Sequence, residues 1–137
     1  MKIKRDDLGK FMKEVEKTTR KRSQEETKMQ TTFALWCGVC LPPDVLWLSI
    51  PNECPKEWAS RLLAMGMRPG AADFLIIYHH IVLFIEFKTK KGVQSDDQMD
   101  FEVASRRAGA SYVVCRSSNS AIKQLKSHGI PHREKDG

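Results

Sequence analysis

Apolar positions along the chain change period several times, and each change marks an element. Met29, Phe33 and Trp36 recur at helical spacing behind Ser23, Glu25 and Glu26. A capping hydroxyl followed by acids near the positive end of a helix is a start signal, so a helix is expected from Ser23. Gly38 is its expected stop, and Leu41-Pro42-Pro43 a turn. Val45 to Ile50 reads as a short apolar strand closed by Pro51-Asn52. Pro55 to Met65 predicts a second helix with Trp58, Leu62 and Met65 on one side, and Gly66 to Gly70 a loop.

The densest signal lies between residues 71 and 88. Ala72 to Tyr78 and Ile81 to Lys88 are rich in Ile, Leu, Phe and Tyr, and His79-His80 separates them. This predicts a β-hairpin covered on both faces except at its polar end. A basic loop, Thr89–Gly92, follows. Ser95 to Ala108 predicts a helix capped by Ser95, with Asp96 and Asp97 in its first turn, apolar positions that include Met99, Val103 and Ala104, and Gly109 at its close. Ser111 to Cys115 predicts a strand and Ser118 to Ser127 a last helix. The expected order is α-β-α-β-β-α-β-α, a single α/β domain of residues 23–128. A basic helical or flexible arm (1–22) precedes it, and a polar tail (129–137) follows.

Charge adds a direction to this layout. The net charge is +6, unevenly spread. Residues 1–28 carry 10 basic and 6 acidic side chains, residues 29–105 carry 6 and 9, and residues 106–137 carry 7 and 2. Basic ends around an acidic middle suit a protein that attracts a phosphate backbone and holds a cation, although a basic solvated surface gives the same sums. No apolar run reaches the roughly 20 residues that cross a bilayer, and the charged N-terminus is not a secretory leader, so no membrane partner is expected. Of four cysteines, Cys37 and Cys40 form one C-x-x-C, while Cys54 and Cys115 stand alone. Free buried thiols are the expected reading, with a zinc site and a redox pair as alternatives. Buried thiols suit a reducing cytoplasm.

Candidate chemistry sits at the open end of the hairpin. If the chain turns symmetrically at His79-His80, Tyr78 faces Ile81, Ile77 faces Val82, and Asp73 faces Glu86. Glu86 and Lys88 are two apart and share a strand face. Two carboxylates at cross-strand distance repel and invite a cation, and oxygen ligands select a hard ion such as Mg²⁺ or Mn²⁺. Such an ion polarises a phosphodiester and activates water, while Lys88 adds a fixed positive charge. Taken alone, E-x-K is equally an ordinary surface pair. His-His is not a favoured two-residue turn, so the register is an inference.

These residues carry a resemblance. The stretch from about Ser23 to Leu125 resembles the VRR-NUC family of the PD-(D/E)xK nuclease superfamily, in particular its small stand-alone bacterial and phage members. Glu26-Thr27-Lys28-Met29-Gln30 is similar to the family's first-helix pattern of an acid followed by an apolar-Gln pair. Ile50-Pro51-Asn52 resembles its Pro-Asn strand exit. Gly66 and Gly70-Ala71-Ala72-Asp73 resemble its Gly-rich approach to the metal-binding Asp. Glu86-Phe87-Lys88, Ser95-x-x-Gln98 and Gly109-x-x-Tyr112-x-Val114 match the segments that follow. Ala72 stands where the family usually has Pro.

The resemblance implies a restriction-endonuclease-like core, a mixed central sheet flanked by helices, and a Mg²⁺- or Mn²⁺-dependent endonuclease acting on DNA. For stand-alone members it implies homodimers acting on branched DNA, including four-way junctions. It places Asp73, Glu86 and the Phe87 carbonyl on the metal and makes Lys88 the catalytic lysine. Glu26 becomes a supporting acid that orients metal-bound water or binds a second metal ion, with Glu25 as its rival, and Gln98 a contact to water or phosphate. Asn52, Lys90 and Lys91 are expected nucleic-acid contacts, with Arg61 and Arg68 as weaker candidates. His79 and His80, at the far hairpin end, are excluded from catalysis, and Trp36, Trp47 and Trp58 are expected in core or interface. Three other readings stay open: a flap, nick or single-strand nuclease of the same fold, a non-cleaving nucleic-acid-binding phage accessory protein, and an interaction protein that uses its tryptophans.

Overall fold

The structure, a computed structural model, describes residues 24–51 and 54–133. The expected arm (1–22), Ser23, Asn52 and the last four residues lie outside the described residues. Helix α1 (Gln24–Cys40) is followed by β1 (Leu46–Ser49), a 3-10 turn (Lys56–Trp58) and the short helix α2 (Ala59–Ala64). Strands β2 (Phe74–Tyr78) and β3 (Ile81–Phe87) form the hairpin. Helix α3 (Asp96–Arg107), β4 (Ser111–Cys115) and α4 (Ser118–Ser127) complete the chain.

The four strands form one mixed sheet in the order β1-β2-β3-β4. Pairing is antiparallel from β1 to β3 and parallel between β3 and β4. A parallel neighbour needs a crossover, and α3 supplies it. Strand alternation sends Phe74, Ile76, Leu83, Ile85, Phe87 and Cys115 to one face, where Phe33 and Cys37 of α1 and Ala121 and Leu125 of α4 cover them. Phe33 meets Phe74 edge-on at 5.1 Å and Phe87 at 5.6 Å between ring centroids. Each such pair adds about 0.5–1.5 kcal/mol beyond its buried area. The opposite face presents Phe84, Tyr112 and Val114 to Phe101 of α3. Both faces of the hairpin are thus covered, as its continuous apolar runs require.

Several expectations need correction. Gly38 does not stop α1, which runs on to Cys40. An interior glycine costs a helix only about 1 kcal/mol, whereas the residues before Pro42 and Pro43 are driven out of helical geometry. The buried side of α2 is Ala59 and Leu63, while Trp58 and Met65 are exposed. In α3, Met99 and Val103 are exposed, and the buried face is Gln98, Phe101 and Ser105. The segment expected as a tail stays on the body through Arg133: Ile130 is buried and the Arg133 N–H donates to the Cys40 carbonyl at 2.7 Å.

Candidate active site

The hairpin register is the expected one, with Tyr78 opposite Ile81 and Phe74 opposite Ile85. One further step along this register sets Asp73 opposite Glu86. Both are almost wholly buried, at 1% and 2% exposure. Asp73 is fixed on three sides. Its N–H donates to the Ile85 carbonyl at 3.0 Å, its carbonyl accepts from Ile50 N–H at 2.8 Å, and its Oδ2 accepts from Phe87 N–H at 2.7 Å. The carboxylate thus stands in for a backbone acceptor where the β2–β3 ladder ends. Phe87 itself packs in the core. The parallel ladder carries one residue further, because Lys88 N–H donates to the Cys115 carbonyl at 2.9 Å. Lys88 is half-buried just past the strand.

Gln98 joins the site to the helix start. Ser95 Oγ accepts from Gln98 N–H at 3.2 Å, and Gln98 Oε1 accepts from Ser95 N–H at 2.8 Å. This is a capping box. The remaining end of the same amide, Nε2, donates to Glu86 Oε1 at 2.9 Å. Gln98 therefore holds Glu86 and is itself buried, rather than standing free toward water or phosphate as expected. Gly70 makes this approach possible. It has φ +74°, and a Cβ there would lie 2.3 Å from the Asp97 carbonyl carbon and oxygen and 2.6 Å from the Gln98 nitrogen. Only glycine lets the strand leading to Asp73 pass so close to the start of α3.

Two residues not singled out for the site lie beside it. Tyr112 is buried on the same sheet face. Its burial first, and then the neighbouring Glu86 carboxylate, hold its phenol far above the ordinary range, so it stays protonated. Gln94 links it to the α3 surface, with Nε2 3.3 Å from the Tyr112 hydroxyl and 3.0 Å from Glu102 Oε1. The Gln94 amide, and then Arg106 at 2.9 Å, hold the Glu102 carboxyl below the usual carboxylate range. In the sequence Tyr112 stood out as a strand residue and as part of the Gly109-x-x-Tyr112-x-Val114 resemblance, with no role at the site. Its relation to Glu86 depends on the parallel pairing, which spacing along the chain does not reveal.

The other candidates scatter. Among the described residues no group of three or more His, Cys, Asp or Glu gathers, so Glu26, half-buried on α1, does not complete a three-acid cluster with Asp73 and Glu86. Lys90 and Lys91 are exposed on the loop after β3. Arg61 lies over the Trp58 ring at 5.6 Å, and Arg68 over Phe101 at 5.6 Å, nearer the start of β2. His79, with φ +51°, occupies the hairpin turn at the end remote from Asp73. All four cysteines are free and buried. Burial, and then Cys40 close by, push the Cys37 thiol up to about 12.

The donor set suits a hard divalent cation. Mg²⁺ is commonly held by one or two carboxylates, with water and substrate phosphate filling the rest. Asp73 and Glu86 meet that requirement. Cys37 and Cys115 belong to the core cluster on the α1/α4 side of the sheet, so soft sulfur ligands are kept from the carboxylate face.

A solved structure supplies the comparison. The fold is that of a VRR_NUC domain protein. The two structures superpose with a TM-score of 0.63 over 81% of this chain and 93% of that one, at 17% identity. Neither a family model nor a curated protein matches the sequence. At that identity the likeness is one of fold alone, a mixed sheet flanked by helices. Among the described residues no helix is long and apolar enough to cross a membrane.

Proposed function

We propose that the protein is a metal-dependent endonuclease that hydrolyses DNA phosphodiester bonds, with Asp73, Glu86 and Lys88 at its centre. The observation that carries this reading is the pair of carboxylates, 1% and 2% exposed, at the end of a hairpin whose last strand residue, Phe87, is followed directly by Lys88. Burying two acids side by side is unfavourable for stability alone, and nuclease chemistry gives the arrangement a use.

Asp73, Glu86 and the Phe87 carbonyl would hold Mg²⁺ or Mn²⁺. When bound, the ion supplies positive charge to the phosphoryl oxygens and lowers the pKa of water. The chain's own residues do the rest. Phe87 N–H fixes the Asp73 carboxylate, and Gln98 Nε2 fixes Glu86, so both acids are oriented before a ligand arrives. The Lys88 ammonium orients the attacking water and stabilises the charge that builds on the phosphorus oxygens. The water oxygen bonds to phosphorus and releases a proton to solvent, the bond to the leaving sugar oxygen breaks, and that oxygen takes a proton from solvent. Glu26 acts as a supporting acid from α1, while Lys90 and Lys91, with Arg61, Arg68 and Asn52 as further candidates, contact phosphates.

The substrate we propose is branched DNA, four-way junctions included, cut by a homodimer. Paired cuts need two sites at fixed separation, which a two-fold enzyme provides. Support for this finer reading comes from the family resemblance. The test is a panel of labelled four-way-junction, flap, nicked, single-stranded and linear duplex DNA with Mg²⁺, Mn²⁺ or EDTA. Symmetric paired cuts in the junction support the full reading, and cutting confined to flaps or single strands replaces the substrate. Metal-independent binding with no cutting of any DNA would favour the non-cleaving alternative, which the gathering of only two acids among the described residues also suits.

A further inference from the structure

A second feature lies beyond the end of β3, at the loop that follows Lys88. A cleft of about 880 Å³ opens between the first turns of α1, the loop after β3 and the junction of β4 with α4. Four basic side chains line it: Lys28 from α1, Lys90 and Lys91 from the loop, and Arg116 from the junction. Glu25 is the one acid on its wall among the described residues, and Thr32 adds a hydroxyl. Among the described residues no aromatic side chain lines it.

The loop in this wall is held in place. Arg116 Nη1 donates to the carbonyls of Thr89, Lys90 and Gly92, at 3.3 Å to Lys90 and 2.8 Å to Gly92. Gly92 N–H closes the turn on the Thr89 carbonyl at 3.1 Å. One guanidinium thus satisfies three backbone acceptors with charge-assisted bonds. Arg116 is occupied by the loop, so it is a positioning residue. The exposed ammonium groups of Lys28, Lys90 and Lys91 are the groups left to meet a ligand.

We propose that this cleft binds the phosphodiester backbone of a nucleic-acid strand, through Lys28, Lys90 and Lys91 on a loop set by Arg116. The argument is one of chemistry. Several ammonium groups from two elements, without an aromatic platform, match a run of phosphates and give no means of reading a base. The cleft lies on the α1/α4 side of the sheet end, whereas Gln98 holds Glu86 from the α3 side. The inference deepens the nuclease reading and rests on it for the identity of the polymer, but it assigns a contact surface that includes α1 and leaves out the metal-binding residues. Glu25 works against the ligand.

The test measures binding of the full chain to labelled single-stranded and duplex oligonucleotides of mixed sequence, in EDTA, across a salt series. Replacing Lys28, Lys90 and Lys91 together with Ala is expected to weaken binding at least about tenfold near physiological salt. It should also make the slope of log affinity against log salt about 2 shallower on single strands, at ~0.7 per lost phosphate contact, or about 2.7 shallower on duplex, at ~0.9. Glu25→Gln is expected to tighten binding. Arg116→Ala is expected to weaken binding and to increase amide exchange in residues 89–92, with a smaller change of slope than the triple variant. Whichever oligonucleotide loses more contacts, counted as the slope change divided by ~0.7 for single strands or ~0.9 for duplex, names the form of the strand.

Unchanged affinity and slope in the triple variant, with Glu25→Gln neutral, would overturn the proposal. Binding of inorganic pyrophosphate as tight as that of the oligonucleotides would overturn the polymeric ligand. Cutting in Mg²⁺ is read separately. A wild-type protein that cuts but binds independently of these lysines refutes the cleft and keeps the nuclease. One that binds through them but never cuts keeps the cleft and refutes the nuclease.

Discussion

Gln98 does two jobs with one amide. Its oxygen closes the capping box with Ser95 and its nitrogen holds Glu86. The two jobs separate by substitution. Gln98→Glu keeps a carboxyl oxygen for the Ser95 N–H, but it removes the donor and sets a third acid against Glu86. Its melting temperature is expected to fall because of the buried like charge although the cap is kept, and cleavage to fall about 10–100-fold, the usual effect of losing a partner that orients a metal ligand. Gln98→Ala loses both, including about 1 kcal/mol of cap, readable by denaturant titration. Asp73→Asn keeps an acceptor for the Phe87 N–H and is expected to fold normally while cutting falls to background. Equal loss of stability and activity in these variants would mean that the residues serve the fold alone.

At the scale of elements, the segments that carry the site were the most legible. The hairpin register followed from placing the turn at His79-His80, even though His79 must adopt φ +51° to make it. Ser111–Cys115 and Ser118–Ser127 have the expected bounds because each is a run of one period with polar punctuation. The helix faces were less legible. Met99 and Val103 are apolar yet exposed, and Gln98 and Ser105 are polar yet buried, because the buried face of α3 is chosen by its contact with Glu86 and the sheet. In α2, Trp58 lies outward under Arg61, and small Ala59 takes the buried place. Periodicity reports a helix. It does not say which polar side chain has a buried partner on another element. Gly70 was legible as part of a glycine-rich approach, but the reason for it, that a Cβ there would lie 2.3 Å from the Asp97 backbone, belongs to tertiary structure. Gly70→Ala is therefore expected to cost at least about 1–3 kcal/mol in denaturant titration and to reduce cutting through displacement of Gln98.

For the whole molecule, the sheet divides the labour. One face is sealed by α1 and α4 with Cys37 and Cys115 inside, and the other brings α3 onto the two acids. The sealed face has a consequence for pH. Burial pushes the Cys37 thiol from 9.0 to about 12 and the Cys115 thiol from 9.0 to about 11. Below pH 9 both thiols are protonated, folded or unfolded, and this stability is fully present. Above it the unfolded chain loses protons that the folded chain keeps, so stability falls as pH rises toward the folded values. Thermal melts between pH 8 and 11 are expected to show this decline, and Cys115→Ala is expected to flatten it. A melting temperature flat across that range would contradict the burial of ionisable thiols.

The central claim is that the buried Asp73–Glu86 pair serves metal-dependent hydrolysis of a phosphodiester. Its most direct test is single-turnover cutting of one labelled four-way junction by wild type and Glu86→Ala, prepared identically, in Mg²⁺ and in EDTA. The account predicts cutting by wild type in Mg²⁺ alone, and none by the variant in either condition. Equal cutting by wild type and variant, or cutting that persists in EDTA, would contradict it.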